Sequence, residues 1–377
     1  IIDGPGSNGG LDSDVMATAR AIVDALAEHD FVLCNIKGPD VAGHDGQAEA
    51  AERLARTLQW PVFPDICSGL RLRGPGDSPF VPYYDLMLRS ERLRRFLNPE
   101  AVVHLGAPST SKRLLQHLAG VRPAAFIHVA EHPLRHDPAH RVTHRFEAGI
   151  AEFCDRLAGE GEDEPDAAWL DPMVRASGTV HGLLEHALTG PDAELSEPAV
   201  ARLVARVAPA NGVVFLGNSM PIRDMDMYAA PRDAGGAAPR GAGGAAPRDA
   251  GGAAPRVAAN RGASGIDGNL ATAAGLARAL SAPTTALVGD LAALHDLNSL
   301  ALAARAGAPM AILVINNQGG GIFSFLPVAR YERHFEEFFA APHVFRFRHA
   351  AAQFGLNYAA PGTLGEFREA YRRAMET

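Results

Sequence analysis

The fold is decided by two apolar stretches that each end in polar residues, TALVGD at residues 285–290 and AILVINNQGGG at residues 311–321. Each begins as a continuous apolar run, which is typical of a strand buried on both faces of a parallel sheet. Residues 294–305 between them have a helical pattern. A strand, a helix and a second strand predict a crossover unit whose strands lie parallel, with their carboxyl ends at the same edge.

Further apolar runs predict additional strands, at residues 31–36, 101–106, 125–129 and 213–217. Helical patterns separate them, and one follows Ser196, which can cap a helix with Pro198 in its first turn. Buried strands that alternate with helices are typical of parallel sheets covered on both faces. The sequence therefore predicts an α/β fold with more than one parallel sheet.

Composition excludes several classes of protein. The 377 residues predict two or three domains, and 47% hydrophobic content excludes global disorder. The net charge of −8 argues against nucleic acid as the main partner. The sequence has no apolar run of about 18 residues, so we expect no membrane span. The cysteines Cys34, Cys67 and Cys154 form no CxxC pair, which fits a reducing compartment. We expect a soluble protein, cytoplasmic or, in a photosynthetic eukaryote, located in the plastid.

Two stretches interrupt the α/β pattern. A unit AAPR-(D/G)-AGG occurs three times from Ala229 to Gly252, and a fourth copy begins at residue 253. Its Ala, Gly and Pro supply little to bury, so we interpret 229–256 as a low-complexity surface insertion. A basic docking arm is the weaker alternative, because aspartates offset half of its arginine charge. The acidic stretch GEGEDEPDAA at 159–168 predicts a domain linker.

The strand ends carry residues that suit a phosphorylated ligand. Asp290 and Asn317 are 27 residues apart and each follows a predicted strand. Carboxylate, amide and carbonyl oxygens suit Mg²⁺, which also takes phosphate oxygens, and glycines let the backbone approach a diphosphate closely. A third strand end, GNS at 217–219, precedes Arg223 and the glycine-rich loop 260–268. Each signal alone also fits ordinary turn formers after buried strands.

Together these signals resemble the fingerprint of thiamine-diphosphate enzymes, which is GD, roughly 27 residues and then NN. Fuller stretches are similar to one family, the 2-succinyl-5-enolpyruvyl-6-hydroxy-3-cyclohexene-1-carboxylate (SEPHCHC) synthases of menaquinone and phylloquinone biosynthesis. The resemblance runs from about residue 51 to the C-terminus. It is carried by SKRLLQ at 111–116, GNSMPIRD at 217–224, NRGASGIDG at 260–268, GDLAALHDLN at 289–298 and NNQGGGIFSFLP at 316–327.

The resemblance implies a carboligase that decarboxylates 2-oxoglutarate on thiamine diphosphate and joins the product to isochorismate, with Mg²⁺ or Mn²⁺ as the metal. It also implies a homo-oligomer. The implied metal ligands are Asp290, Asn317 and the carbonyl of Gly319. The implied cofactor-binding residues are these three with Gly217, Asn218, Ser219, Ile266, Gly289 and Leu291, where Ile266 is the apolar wedge that bends the cofactor.

The implied substrate-binding residues combine cations with an apolar wall. They are Lys112, Arg113, Ser219, Arg223, Arg261, Ile322, Phe323 and Leu326. Both implied substrates are dicarboxylates, and guanidinium groups pair with carboxylates in bidentate fashion. For Lys112 and Arg113 a solvated helix start is the alternative.

The sequence departs from the family in two ways. The family has a polar residue where this chain has Gly321. No stretch resembles the family's N-terminal pyrimidine-binding domain, whose glutamate activates the cofactor, so we expect no catalytic residue of that kind here. The alternative to an enzyme is therefore a non-catalytic, cofactor-binding fragment that needs a partner chain.

The N-terminal segment has a different resemblance. PDVAGHDG at 39–46 resembles a metal motif of cofactor-independent phosphoglycerate mutases, with Asp40 and His44 as the ligands. The other ligands of that family have no match, so a metal-dependent mutase fragment is a second alternative. We predict a mutase-like remnant at 1–50, a central Rossmann-like domain at 51–165 and a thiamine-diphosphate-binding domain at 186–377.

Overall fold

The computed structural model describes residues 47–73, 79–135, 137–159, 170–232, 254–262 and 264–376. Three predicted features lie outside these residues: the mutase-like motif with Asp40 and His44, the strand at 31–36, and nearly all of the linker at 159–168. Within the described ranges, no helix is both long and apolar enough to cross a bilayer.

The first part of the chain is built on a three-stranded parallel sheet in the order β1-β2-β3. Its strands are β1 (Ala101–Leu105), β2 (Ala125–Ala130) and β3 (His144–Glu147). The first two confirm the predicted strands, whereas β3 was not predicted because three of its four residues are exposed and it lacks an apolar run. The helices of this part are α1 (Gln47–Leu58), α2 (Tyr84–Met87), α3 (Glu91–Phe96), α4 (Lys112–Gly120), α5 (Ile150–Gly159) and α6 (Leu170–Thr189).

The second part is built on a four-stranded parallel sheet in the order β5-β4-β6-β7. Its strands are β4 (Val213–Leu216), β5 (Arg256–Ala259), β6 (Thr284–Gly289) and β7 (Met310–Ile315). Leu287 of β6 lies opposite Leu216 of β4 and Leu313 of β7, so these strands end at one edge. The α/β class with parallel sheets is confirmed.

Helices cover both faces of the four-stranded sheet. The helices of this part are α7 (Glu197–Val207), α8 (Met220–Tyr228), α9 (Asn269–Leu280), α10 (Asp290–His295), α11 (Leu300–Ala303), α12 (Glu332–Phe335), α13 (Phe347–Gln353) and α14 (Leu364–Glu376). One apolar cluster joins Val204 of α7 to Val214, and the opposite one joins Leu270 of α9 to Phe215. Each fully buried side chain of this kind stabilises the fold by roughly 1.5–3 kcal/mol.

Helix α7 begins as the sequence predicts. The Ser196 side chain accepts a hydrogen bond from Ala199 N at 3.4 Å, and Pro198 lies in the first turn. The predicted helix at 294–305 is instead divided into α10, a 3₁₀ turn (Leu297–Ser299) and α11. The break falls at Asp296, whose carboxylate accepts hydrogen bonds from the first backbone N–H groups of α9, including Leu270 N.

The predicted surface insertion at 229–256 is wrong at its ends. Ala229 and Ala230 are buried, and Arg256 begins β5. The buried Arg232 guanidinium donates to the carbonyls of Ala205 and Ala208, at 2.6 and 2.7 Å, and so satisfies acceptors at the end of α7. Composition did not predict the burial of Arg232, because a helix-capping arginine cannot be distinguished from a surface arginine by composition alone. Residues 233–253 lie outside the described ranges.

A buried network joins the two parts of the molecule at Asp226 of α8. Its carboxyl accepts hydrogen bonds from Ile66 N at 2.9 Å and from the Tyr84 hydroxyl at 3.0 Å, and its backbone carbonyl accepts two from Arg71. Burial, and then the nearby Asp65, raise the pKa of Asp226 to about 8. Asp65 in turn accepts a hydrogen bond from Thr110 N, two residues before α4. The start of α4 is thereby tied to α8.

Candidate functional site

Asp290 lies at the shared edge of β6 and β7, as the first residue of α10, and is 2% exposed. Its Oδ1 accepts a hydrogen bond from Leu291 N at 2.7 Å. Its Oδ2 accepts one from Gly319 N at 3.0 Å and one from His343 Nε2 at 3.1 Å. The crossover therefore brings Asp290 and the Gly319 loop together, as the sequence predicts.

Asn317, the other predicted metal ligand from a side chain, is exposed and held by a distant residue. Its Nδ2 donates a hydrogen bond to Glu197 Oε1, 3.0 Å away. Glu197 is the first residue of α7. The donor end of the amide is thus engaged, and Oδ1 is the opposite end.

The loop after β7 has a shape that only glycines allow. Gly319 has φ of 155°, and a Cβ built on it would lie 2.3 Å from the carbonyl oxygen of Ala340. Gly320 N donates to the same carbonyl at 2.7 Å. A Cβ on Gly321 would lie 2.7 Å from Asn317 Nδ2, so the glycine found there makes room for the Asn317 amide.

The end of β4 carries a buried acceptor that lacks a partner. Asn218 Nδ2 donates to the carbonyls of Asn260 and Gly265, at 3.2 and 3.0 Å, and holds the glycine-rich loop on the strand end. Asn218 Oδ1 is buried with no hydrogen-bond partner among the described residues, and so is Asn269 Oδ1 at the start of α9. Buried acceptors of this kind are rare in native proteins and mark a place where a ligand or water can donate.

The neighbouring positions differ in the space beside them. A Cβ on Gly217 would lie 3.1–3.2 Å from Val288 atoms, so this glycine packs the sheet. A Cβ on Gly289 would meet no atom of the described residues within 4 Å, so this glycine borders open space. Ser219 has φ of 76°, a strained conformation that carries about 1–3 kcal/mol and is concentrated at functional sites.

Two predicted cations are close neighbours at this edge. Burial, and then the positive charge of Arg261, lower the pKa of Arg223. The Arg223 guanidinium also donates to the carbonyl of Ser219. Ile266, in the same glycine-rich loop as Arg261, is 38% exposed. Two like charges side by side repel each other, and an anionic ligand would relieve that repulsion.

A buried carboxyl lies behind these cations. Burial, and then the neighbouring Glu197, together raise the pKa of Asp224 to about 8. Asp224 is therefore protonated at neutral pH and can donate to the Glu197 carboxylate. A chain of hydrogen bonds runs from Asp224 on α8 through Glu197 to Asn317.

The predicted residues of α4 separate into two environments. Arg113, whose side chain is 41% exposed, pairs with the buried Asp85, and its Nη1 lies 3.9 Å from Met227 Sδ on α8. Lys112 is exposed. Arg113 also borders a cavity of about 420 Å³ on the first part of the chain, whose lining includes Arg89, Arg94, Gln116 and His117. Arg113 thus has a structural partner, whereas Lys112 matches the expected solvated helix start.

The predicted apolar wall lies on the 3₁₀ turn Gly321–Phe325 that follows the glycine loop. Ile322 and Phe323 are half-buried in this turn, and Leu326 is half-buried just after it. The Phe323 ring packs edge-on against Phe339, with ring centroids 5.7 Å apart. The structure therefore places these three residues directly after Asn317 and Gly319.

These residues fit a magnesium diphosphate cofactor. The described part of the chain has no group of three His, Cys, Asp or Glu side chains that could hold a metal, so a metal here needs amide and carbonyl oxygens. Asp290 contacts the Gly319 loop, and Asn317 lies in the same loop, so the oxygens of Asp290, Asn317 and Gly319 are the candidates for such a set. Two further features fit a bound cofactor. It would fill the open space beside Gly289 and could donate a hydrogen bond to the unpartnered Asn218 Oδ1.

Sequence reasoning missed two residues of the site. Glu197 contacts Asn317 across 120 residues of sequence, and His343 contacts Asp290 across 53. Glu197 has the pattern of an ordinary first-turn acid of a helix, and His343 belongs to no motif. Neither residue carries a local signal that could have identified it.

Two family models match the chain. The model described as the middle domain of thiamine pyrophosphate matches residues 26–216, and the C-terminal TPP binding domain of thiamine pyrophosphate enzymes matches residues 253–377. The first match starts inside the stretch 1–50. It ends at β4, which the structure pairs with β5 and β6. The domain boundaries at 50 and 186 stay predictions, and the second falls inside α6.

Curated relatives bear the name 2-succinyl-5-enolpyruvyl-6-hydroxy-3-cyclohexene-1-carboxylate synthase. The protein from Rubrobacter xylanophilus is 47% identical over 328 residues, which are 87% of this chain and 53% of the relative. The protein from Salinibacter ruber is 40% identical over 94% of this chain and 56% of the relative, and that from Chlorobaculum tepidum is 38% identical over 88% and 52%. The chain spans about half the length of these relatives. With matches to both the middle and the C-terminal domain, the chain belongs to the thiamine pyrophosphate enzymes.

Proposed function

We propose that the protein acts as a SEPHCHC synthase, a transferase of menaquinone or phylloquinone biosynthesis. It would join the decarboxylated product of 2-oxoglutarate to isochorismate. The observation that carries this proposal is the shared edge of the four strands, where Asp290 meets Gly319 after β6 and β7. The neighbouring cations Arg223 and Arg261 lie in the segments that follow β4 and β5 at the same edge. The names of the relatives support the same activity.

In this proposal Mg²⁺, or Mn²⁺, is held by Asp290, Asn317 and the Gly319 carbonyl. Gly289 and Leu291 would hold the diphosphate through their backbone, and a Cβ built on Gly289 meets no described atom within 4 Å. The other proposed cofactor contacts are Gly217, Asn218, Ser219 and Ile266. When bound, thiamine diphosphate supplies the electron sink for decarboxylation and carbon–carbon bond formation.

The substrate residues would bind and orient two dicarboxylates. Arg261 is close enough to lower the pKa of Arg223, so one carboxylate would pair with both guanidinium groups. Lys112 and Arg113 are the proposed cations from the first part of the chain, which the Asp226 network ties to α8. Ile322, Phe323 and Leu326 would line the apolar side and exclude water.

We also propose that the working enzyme is a homo-oligomer. Several large apolar side chains near the site are exposed in the single chain, namely Phe325, Tyr331, Phe338, Val344 and Phe345. A second copy would cover them, since exposed apolar patches of this kind mark interaction surfaces.

A binding titration followed by a turnover assay tests the function. We expect the chain to bind thiamine diphosphate in the presence of Mg²⁺ and to lose that binding in excess EDTA. Turnover of 2-oxoglutarate with isochorismate is then measured for the chain alone and after addition of the N-terminal half of the Rubrobacter xylanophilus relative. Activity that appears only with the added half would identify the chain as a fragment that needs a partner. No Mg²⁺-dependent binding would refute the proposal.

A further inference from the structure

We infer that Glu197 is a positioning residue that orients Asn317 toward the metal of the cofactor site. The inference deepens the proposed function and rests on it. Its basis is the contact between Glu197 Oε1 and Asn317 Nδ2, 3.0 Å apart, which joins the first turn of α7 to the loop after β7.

The chemistry of the contact determines which way the amide faces. An ionised carboxylate can only accept hydrogen bonds, so it pairs with the Nδ2 end of an asparagine and never with Oδ1. A hard divalent cation takes the oxygen end. One acceptor on the far side of the amide is therefore enough to select the orientation in which Oδ1 is available to the metal.

Glu197 can perform this task because its own position is fixed. Ser196 caps α7 immediately before it, and Val200 and Leu203 of α7 belong to the apolar cluster that includes Val214 of β4. The carboxyl of Asp224, itself buried on α8, hydrogen-bonds to Glu197 from a second element. A residue on a rigid helix positions a ligand more accurately than one on a loop.

The loop around Asn317 is shaped to accept this contact. A Cβ on Gly321 would lie 2.7 Å from Asn317 Nδ2, so a side chain there would press on the amide. The glycine and the glutamate thus act on the same atom, one by leaving room and the other by accepting its hydrogen. This gives the departure at Gly321 a physical role.

The test measures Mn²⁺ affinity by electron paramagnetic resonance on the full chain with thiamine diphosphate, and does not depend on turnover. Partners of metal ligands typically contribute 10–100-fold in metal affinity, so we expect Glu197→Ala to weaken Mn²⁺ binding by about that factor. Glu197→Gln keeps an acceptor oxygen on a side chain of the same length, so its Mn²⁺ affinity should be close to that of the unmodified chain. Glu197→Asp keeps the charge at the helix start but is too short, and should resemble Glu197→Ala.

The matched control is Glu194→Ala, which removes an exposed acid from the same segment. It should leave Mn²⁺ affinity unchanged. Melting temperatures are recorded for all variants, and Glu197→Asp replaces Glu197→Ala if the latter does not fold. The inference would be overturned if Mn²⁺ affinity depended on the charge of the side chain rather than on its length. In that case Glu197→Gln would weaken Mn²⁺ binding and Glu197→Asp would not.

A double-mutant cycle with Asn317→Ala separates this inference from the proposed function. If Glu197 acts through Asn317, its removal should add nothing in the Asn317→Ala background. An equal further loss in that background would overturn the positioning role while leaving the metal site intact. If Asn317→Ala itself leaves Mn²⁺ affinity unchanged, the metal assignment fails together with the inference.

Discussion

The two parallel sheets of this protein end differently at their carboxyl edges. In the three-stranded sheet the histidines at this edge bond to nearby backbone carbonyls. His104 Nε2 donates to Ala107 O at 2.9 Å, and His128 Nε2 donates to Gly106 O at 3.0 Å. In the four-stranded sheet the edge combines the buried Asp290 carboxylate, the unpartnered Asn218 Oδ1 and open space beside Gly289.

The difference shows that the parallel topology alone does not make a binding site. Ligands of open α/β sheets bind beyond the carboxyl ends of strands, yet the two edges differ here. The histidines at the end of β1 and β2 bond to nearby carbonyls, whereas Asn218 Oδ1 at the end of β4 has no partner among the described residues. In the proposed function the first part of the chain supplies cations from α4, whose start the Asp226 network ties to α8.

The largest effect is expected at Asp290. Asp290→Ala should weaken Mg²⁺-dependent thiamine diphosphate binding by more than about 100-fold, because a direct ligand should exceed the contribution of its partners. Asp290→Asn keeps the shape and tests the charge alone. Titration calorimetry measures the affinity, with Glu369→Ala on the exposed face of α14 as the control. Unchanged affinity in both Asp290 variants would remove the distinction between the two edges.

Two glycines of the binding edge should respond in opposite ways. Gly217→Ala should destabilise the fold by about 1–3 kcal/mol, because the added methyl is forced against Val288. Gly289→Ala meets open space and should leave the free energy of unfolding unchanged while weakening cofactor binding. Chemical denaturation and the same titration measure both quantities. A destabilised Gly289→Ala variant would show that its space is filled.

The network between the two parts should make stability depend on pH. The pKa of Asp226 rises to about 8 on folding, so the folded chain holds this proton longer than the unfolded chain does. Its stabilising contribution is complete below the unfolded pKa near 4 and is lost as pH rises toward 8.

Each such group contributes a slope of up to about 1.4 kcal/mol per pH unit in that window. Asp226→Asn should remove the contribution of Asp226 to this pH dependence of the free energy of unfolding, whereas the contribution of Asp224 remains. Denaturation curves between pH 4 and 9 measure the slope. An identical slope in the variant would show that Asp226 is ionised in the folded protein.

The smallest effect on stability is expected at Lys112. Because it is exposed, Lys112→Ala should change the free energy of unfolding by no more than about 0.5 kcal/mol, while substrate affinity falls. Arg113→Ala is the contrast, since it leaves the buried Asp85 without its cation and should cost about 1–3 kcal/mol. Equal stability of the two variants would mean that the Asp85 pair contributes nothing.

Sequence reasoning predicted the strands of both sheets that have continuous apolar runs, the start of α7, and the contact between Asp290 and the glycine loop. These features follow from local signals, namely apolar periodicity, capping residues, and the rule that parallel neighbours end at the same edge. It missed β3 and β5, and it assigned Arg232 to the surface, because four-residue edge strands and a buried helix-capping arginine leave no such pattern.

Tertiary structure alone decided which partners the site residues have. Glu197 on Asn317, His343 on Asp290 and Asp85 on Arg113 join residues 120, 53 and 28 positions apart. Such contacts depend on how helices pack against a sheet and on which rotamer each side chain then takes. Neither can be predicted from the residues that are adjacent in sequence. The end of β7 can be predicted from the sequence. The hydrogen bond between Glu197 and the Asn317 amide forms only after folding has brought α7 beside that strand end.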